Sequence, residues 1–222
     1  MTTVCIDVVA LHDRGLLEAV ASLARQERPP DRIRVVASPP LSEEMLREVR
    51  ARSTPVPIEF VRAAEPAAGG ADRTLPGEDV TVFFDAGGVA PAGWLARLIA
   101  PVEAGQAAYS AGPIRPLRPS PSPVERDVVL RESSIYEELV PRGAAHFPGH
   151  NSAWRTSTLR ELGFESAPAN AAGDDLEARA ARAGVVGVFV PQAWAYLGTS
   201  ETAAPRARRR PPDDPSDRPR PS

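Results

Sequence analysis

The chain has 222 residues and a formal net charge of −3, with 29 acidic side chains against 26 basic ones, all of them arginine. The absence of lysine excludes a Schiff base with a substrate or pyridoxal phosphate, and also the lysine of P-loop and kinase phosphate sites. The single cysteine, Cys5, excludes an intrachain disulfide framework, a CxxC redox pair and a cysteine-rich zinc site.

Length and charge distribution predict one domain, residues 1–200, followed by a tail. Residues 201–222 hold six arginines and four acids among prolines, without apolar periodicity, so we expect them to be disordered. Because the tail contributes +2, the domain carries −5, which argues against nucleic acid as the main partner. The arginines at 208–210 leave open a weak contact with nucleic acid or a membrane. With no apolar run near the roughly 20 residues that span a bilayer, we expect a soluble, cytoplasmic protein.

The first half of the chain predicts alternating strands and helices. Short apolar runs predict strands at residues 4–11, 33–37, 58–61 and 80–84. Helical periodicity gives three inward faces: Leu16, Leu17, Val20 and Leu23; Leu41, Met45, Leu46 and Val49; and Trp94, Leu95, Leu98, Ile99 and Val102 within a helix over 91–103. Asp13 is the expected N-cap of the first helix. This alternation predicts an α/β domain with a mostly parallel sheet flanked by helices and strand 80–84 at its centre.

The pattern is less regular beyond Ile114. Residues 116–124 predict a proline-rich connector, and Ser134 with Glu137 indicates a capping box that opens a short helix. We expect helices near 156–162 and 173–183 and a strand at 185–190. In such a fold a nucleotide binds at the carboxyl ends of the first-half strands, and we assign a second substrate to the second half.

Three segments carry candidate chemistry. Asp85 follows the central strand and precedes Gly87-Gly88, where a carboxylate can bind a ribose hydroxyl or a cation, although these residues alone slightly favour an ordinary turn aspartate. The segment 146–155, HFPGHNSAWR, suits a sugar or nucleotide contact or a loop with a buried tryptophan; its Pro-Gly step argues against a helical histidine pair that binds metal. The paired acids of 173–175, Gly-Asp-Asp, supply either a general base or simple helix capping.

The order and spacing of four segments resemble those of family 2 glycosyltransferases, inverting sugar transferases of the GT-A fold, over about residues 2–197. The similar segments are LLEAVASLARQERPPDRIRVV, VTVFFDAGGVAPAGWLARLIAPVEAG, PGHNSAWRTSTLRELGF, and GDDLEARAARAG followed by VGVFVPQAWAY. The resemblance implies a single GT-A-like, Rossmann-like domain. It also implies transfer of a sugar, of the hexosyltransferase type, from a nucleoside-diphosphate sugar to an acceptor hydroxyl with inversion.

On the acceptor side, the resemblance implies roles for five residues. Asp175 takes the position of the catalytic base that deprotonates the acceptor hydroxyl, with Asp174 beside the acceptor. Gly149, His150 and Asn151 fall in the segment that lines the donor-sugar and acceptor pocket.

On the donor side, the sequence departs from the family pattern. Asp85 takes the place of the first DxD aspartate, which contacts the ribose and helps to hold the metal, and Asp13 stands in the first loop in place of an asparagine. Gly87 replaces the last DxD aspartate, residues 37–40 (ASPP) replace an acidic segment, and Leu197 stands near an expected histidine. A manganese or magnesium ion would therefore retain few ligands.

Positive charge for a donor diphosphate would therefore come from arginine or from a poorly ligated metal ion. Arg155 and Arg115 are the candidates, because a guanidinium pairs with a diphosphate through two parallel hydrogen bonds. The sequence thus predicts a glycosyltransferase. The alternative is a catalytically degenerate GT-A-like domain that binds a sugar nucleotide or a partner protein without turnover. A nucleotidyltransferase is disfavoured, because no glycine-rich loop follows the first strand and there is no lysine.

Overall fold

A computed structural model of the chain describes residues 1–10, 15–37, 40–62, 75–116, 151–164 and 174–197. The main sheet contains β1 (Val4–Ala10), β2 (Arg32–Ala37), β3 (Ile58–Arg62), β4 (Val80–Asp85), β6 (Tyr109–Ala111), β8 (Asn151–Arg155) and β9 (Gly187–Phe189). A small second sheet contains β5 (Gly88–Val89), β7 (Ile114–Pro116) and β10 (Ala195–Leu197). The helices are α1 (Leu16–Ala24), α2 (Glu43–Ser53), α3 (Trp94–Glu103), α4 (Thr156–Glu161) and α5 (Asp174–Arg182).

The seven strands of the main sheet lie in the order β3-β2-β1-β4-β8-β6-β9, so β4 is central, as its hydrophobicity predicts. β1 to β4 are mutually parallel, and β6 is parallel to β9. β8 runs antiparallel to both of its neighbours, β4 and β6. We call the edge at which β1 to β4 end, and at which β8 begins, the carboxyl edge.

Strand β8 lies within the segment 146–155, for which the sequence left a loop as one interpretation. Its side chains alternate between the two faces of the sheet. Ser152 and Trp154, which align with Phe83 and Thr81 of β4, lie on one face, and Asn151 and Ala153 lie on the other. Trp154 is buried, as expected. The proline and glycine at 148–149 and the polar residues obscure this two-residue period in the sequence.

One face of the sheet packs against α1 and α3. The fully buried side chains on this face include Ile6 and Val82 from the strands and Leu16, Leu23 and Leu98 from the helices. The inward faces predicted for α1 and α3 are confirmed, apart from Leu17, which is only partly buried. Helix α2 buries Val49 completely.

The other face packs against α4 and α5. Here the ring of Tyr109 stacks on that of Trp154, with centroids 4.1 Å apart, and Leu159 and Leu176 cover them from the two helices. Helices on both faces of a mostly parallel sheet confirm the predicted α/β class.

Several expectations lie outside the ranges that the structure describes: the connector from residue 117 onward, the helix opened by Ser134, and the tail at 201–222. Helix α1 begins at Leu16, and Gly15, with φ of 80°, occupies its N-cap, so the expectation that Asp13 is the N-cap is wrong. Among the helices described, none has the length and apolar character needed to cross a membrane.

Candidate functional site

Asp85 ends the central strand at the carboxyl edge, where its half-buried carboxylate organises the following turn. Its Oδ1 accepts a hydrogen bond of 2.8 Å from the backbone N–H of Gly87. This is the bond expected of a turn aspartate, and it also fixes the orientation of the carboxylate. The location agrees with the rule that ligands of α/β sheets bind outside the carboxyl ends of the strands.

Two glycines allow other segments to approach this turn. A Cβ on Gly15 would lie 3.0 Å from Ala86 O and 3.0 Å from Gly87 Cα, so the start of α1 touches the turn directly. A Cβ on Gly88 would lie 2.8 Å from the Phe84 ring. Any larger residue at either position would displace the turn that carries Asp85.

The small sheet borders the same turn. Strand β10 pairs antiparallel with β5, and Leu197 lies directly opposite Gly88. The backbone register therefore brings Leu197 beside the Asp85 turn, although the two are more than 100 positions apart in the sequence. A leucine side chain offers no metal ligand at this position.

Asn151 lies at the carboxyl edge but uses its side chain internally. It is 0% exposed, its Oδ1 accepts from Trp94 Nε1 at 2.8 Å, and its Nδ2 donates to Pro113 O at 3.1 Å and Ala193 O at 3.0 Å. Both amide protons are thus occupied. The expectation that Asn151 lines a substrate pocket is corrected: it binds three segments of the protein to one another.

Arg155 lies at the opposite edge of the sheet. It pairs with Val80, the first residue of β4, and its Nη2 donates to Val102 O at 3.2 Å. Five residue steps separate Val80 from Asp85, which is about 17 Å along a strand. Arg155 borders an open cavity of about 430 Å³ at the amino edge, together with Asp79. The expected pairing of Arg155 with a diphosphate at Asp85 is therefore corrected.

Arg115 lies closer to the Asp85 turn. It belongs to β7, where it aligns with Tyr196 of β10, which in turn aligns with Val89 of β5. Its exposed guanidinium stacks 4.5 Å from the centroid of the Trp194 ring. Of the two arginines considered, Arg115 is the one in the sheet that borders Asp85.

Asp174 and Asp175 are the first two residues of α5. Four residues, 183–186, connect α5 to β9, and Ala108 N donates to Val186 O at the amino end of β6. Because this short connection reverses the chain, α5 runs roughly antiparallel to β9, and its first turn lies toward the carboxyl edge. Asp85 and the two acids thus belong to the same edge of the sheet. Asp13, Gly149 and His150 lie outside the described ranges.

A metal site does not follow from the side chains that the structure describes. Among them, no group of three or more histidine, cysteine, aspartate or glutamate side chains could hold an ion. Asp85 is the one expected ligand that this part of the chain supplies, and its neighbours Gly87 and Leu197 contribute no side-chain ligand. The donor set of the described residues therefore does not fit a resident divalent cation.

Cys5 does not add a nucleophile. It is 0% exposed in β1, and burial, followed by the nearby Asp7 carboxylate, raises the pKa of its thiol well above the usual range. The thiolate, which is the reactive form, is therefore suppressed.

Comparison with known proteins gives matches among solved structures only. No protein-family model matches the sequence, and no curated protein matches it. The mannosyltransferase PcManGT from Pyrobaculum calidifontis, in complex with GDP-Man and Mn²⁺, matches with a TM-score of 0.64 and 18% identity over 91% of this chain and 58% of its own. S. aureus TarS 1–349 matches in its UDP-GlcNAc complex with a TM-score of 0.61 and 17% identity over 90% of this chain and 59% of its own.

The same TarS fragment in complex with UDP matches with a TM-score of 0.58 and 15% identity, over 89% of this chain and 61% of its own. The chain thus spans about three-fifths of the length of these structures. The chain has the α/β fold of GT-A-like glycosyltransferases.

Proposed function

We propose that the protein is a glycosyltransferase that moves a sugar from a nucleoside-diphosphate sugar to an acceptor hydroxyl. One observation carries the proposal: the Asp85 turn and the start of α5 belong to the same edge of a GT-A-like sheet. That edge is where α/β proteins bind their ligands. The similar solved structures are complexes with UDP, UDP-GlcNAc and GDP-Man.

On the donor side, Asp85 would accept a hydrogen bond from a ribose hydroxyl, with a contribution from Asp13, which lies in the sequence between β1 and α1. The close packing of Gly15 against the Ala86–Gly87 backbone supports this assignment, because it holds the turn that carries Asp85 at the carboxyl edge. Arg115 would supply positive charge toward the diphosphate from the neighbouring small sheet.

On the acceptor side, Asp175 would act as the general base, with Asp174 beside the acceptor and Gly149 and His150 along the sugar pocket. The base removes the proton of the acceptor hydroxyl while that oxygen attacks the anomeric carbon. The bond between this carbon and the diphosphate oxygen breaks as the new bond forms, so the product has the inverted configuration. The nucleoside diphosphate leaves with the bonding electrons.

A divalent cation would neutralise charge on the leaving diphosphate if the protein bound one. PcManGT was solved with Mn²⁺. Here the described donor set does not fit such an ion, so no step of the proposed reaction depends on it. Donor binding measured with manganese and with EDTA tests this directly.

The alternative is a GT-A-like domain that binds a sugar nucleotide or a partner protein without turnover. Gly87 and Leu197 favour it, because neither residue type supplies a polar side-chain atom at a position where the resemblance expects an aspartate and a histidine. We propose a cytoplasmic location in either case.

The experiment combines binding and turnover. Thermal unfolding is measured with a panel of UDP, GDP, CDP and dTDP sugars, because a donor at 100 times its Kd stabilises by about 2.7 kcal/mol. Asp175→Asn should then bind the same donor but lose turnover. Glu44→Gln is the matched control, since it neutralises an exposed acid at the second position of α2. We expect it to leave both properties unchanged.

Each outcome has a separate meaning. Stabilisation by no donor would overturn donor binding and with it the proposed reaction. Donor binding without hydrolysis or transfer, in the wild type and with a broad acceptor panel, would favour the non-catalytic alternative. Unchanged turnover in Asp175→Asn would refute the assignment of the base.

A further inference from the structure

Two short connections, which we call the bend, join the main sheet to the small sheet. The parallel pair β6 and β9 leaves the main sheet and continues as the parallel pair β7 and β10 of the small sheet. One connection passes from β6 to β7 through Gly112-Pro113, and the other passes from β9 to β10 through residues 190–194. Backbone carbonyls at such a bend leave the regular ladder and need other hydrogen-bond partners.

The side chain of Asn151 donates to one such carbonyl in each of the two connections. Its Nδ2 donates to Pro113 O in one connection, at 3.1 Å, and to Ala193 O in the other, at 3.0 Å. Pro113 O also accepts from Ala195 N at 3.0 Å, so the same carbonyl joins Asn151 to the first residue of β10. One buried amide thus holds both connections at the point where they leave the main sheet.

The two connections approach each other closely at Gly112. A Cβ on Gly112 would lie 1.9 Å from Ala193 O and 3.0 Å from Asn151 Nδ2. Gly112 N donates to Asn151 O at 3.1 Å, which anchors the first residue of β8 to the same bend. The space at the bend admits glycine and the Asn151 amide and excludes a larger side chain.

The other end of the amide is connected to the donor turn. Asn151 Oδ1 accepts from Trp94 Nε1 at 2.8 Å. The Trp94 ring packs edge-on against Phe84 with centroids 5.0 Å apart. Phe84 directly precedes Asp85, and its ring lies against Gly88. A continuous set of contacts therefore joins the bend to the turn that carries Asp85.

We propose that Asn151 is a positioning residue for the donor site: it holds the small sheet against the Asp85 turn without touching the substrate. The part concerning donor binding rests on the proposed function. Loss of the amide releases the bend, moves β10 relative to β5 and alters the place of Asp85. Misplacement by about 1 Å at a reacting site reduces rates by as much as about 100-fold.

The test compares Asn151→Ala with Ser152→Ala. Ser152 is the neighbouring residue, is 1% exposed, and accepts from another indole, Trp154 Nε1, at 3.1 Å, but on the opposite face of the sheet. Trp94→Phe is a milder variant that removes one hydrogen bond and keeps an aromatic ring. All three are examined by thermal unfolding, by backbone hydrogen exchange and by titration with the donor that stabilises the wild type.

In Asn151→Ala without ligand, amides of 88–89 and 195–197 should exchange roughly tenfold faster than in Ser152→Ala, because the opening is local. The donor Kd should rise roughly tenfold in Asn151→Ala and less in Trp94→Phe, and should stay unchanged in Ser152→Ala at comparable thermal stability. If Asn151→Ala fails to fold, Trp94→Phe carries the same comparison.

Equal exchange at 88–89 and 195–197 in the Asn151 and Ser152 variants would overturn the proposal, as would an equal loss of donor affinity. If the wild type binds no donor, the proposed function is overturned, whereas the exchange comparison still decides whether Asn151 holds the small sheet.

Discussion

Asp7 and Arg34 form a buried ion pair between the parallel strands β1 and β2. The Nε of Arg34 lies 2.8 Å from Asp7 Oδ1, and its Nη2 lies 2.8 Å from Oδ2, so the contact is bidentate. The two residues are 4% and 6% exposed. Both charges have lost most of their water, and each therefore depends on the other to offset the desolvation.

Removing one partner of this pair should lower the free energy of unfolding strongly, whereas replacing both partners by apolar residues should not. Arg34→Met should lower the free energy of unfolding by about 3–5 kcal/mol, because it leaves the Asp7 carboxylate buried and unpaired. The double variant Asp7→Leu/Arg34→Met should recover most of that loss. Urea unfolding measures both. Arg32→Met is the control on the same strand: its ion pairs with Glu59, at 3.1 Å, and with Glu78, at 2.7 Å, are partly exposed and should each contribute at most about 1 kcal/mol. A double variant as unstable as Arg34→Met would contradict this prediction.

Cys5 should make the stability depend on alkaline pH. Its pKa is raised in the folded protein by burial and then by Asp7, so above about pH 8.5 the unfolded chain releases the thiol proton and the folded chain retains it. The contribution is complete below that pH, and it declines by about 1.4 kcal/mol per unit above it. Urea unfolding at pH 8 and 10 should show a larger loss for the wild type than for Cys5→Val. Equal losses would show that Cys5 ionises normally in the folded protein.

Gly112→Ala should destabilise the bend between the sheets. The new methyl group would lie 1.9 Å from Ala193 O, so the two connections must separate. Overpacking of this kind lowers the free energy of unfolding by about 1–3 kcal/mol. Gly77→Ala is the matched control, because Gly77 is exposed and a Cβ there meets nothing within 4 Å. Thermal unfolding compares the two variants. A tolerated Gly112→Ala would mean that the bend adapts easily and is not tightly packed.

Asp85 and Arg155 should differ in their effect on donor binding. Asp85→Ala should weaken the affinity for the stabilising nucleotide sugar by roughly 10- to 100-fold, the loss expected for a hydrogen bond that involves a charged group. Arg155→Gln should leave the affinity unchanged, because Arg155 aligns with the opposite end of β4. Isothermal titration with the same donor measures both. Weaker binding in Arg155→Gln would contradict the placement of the donor at the carboxyl edge.

The elements of the fold were largely predictable because they depend on short-range patterns. The apolar run at 80–84 predicted a central strand, and the periodicity from Leu16 to Leu23 predicted the buried face of α1. Strand β8 was harder to recognise, since Asn151 and Ser152 are polar and buried at once. Their burial is stabilised by hydrogen bonds to distant segments, which no local pattern contains.

The arginine-only composition excluded lysine chemistry and left arginine or a poorly ligated metal ion as the source of positive charge for a diphosphate. The sequence also determined the order of β1 to β4 and of the helices between and after them, and the resemblance that names Asp85 and Asp175. Only the tertiary structure decided which residues share an edge. It separated Arg155 from Asp85 by the length of β4, brought Leu197 opposite Gly88, and turned the Asn151 amide toward Trp94 and the bend. The physical reason is that strand register and the demand of buried polar groups for partners act between segments that are far apart in the sequence.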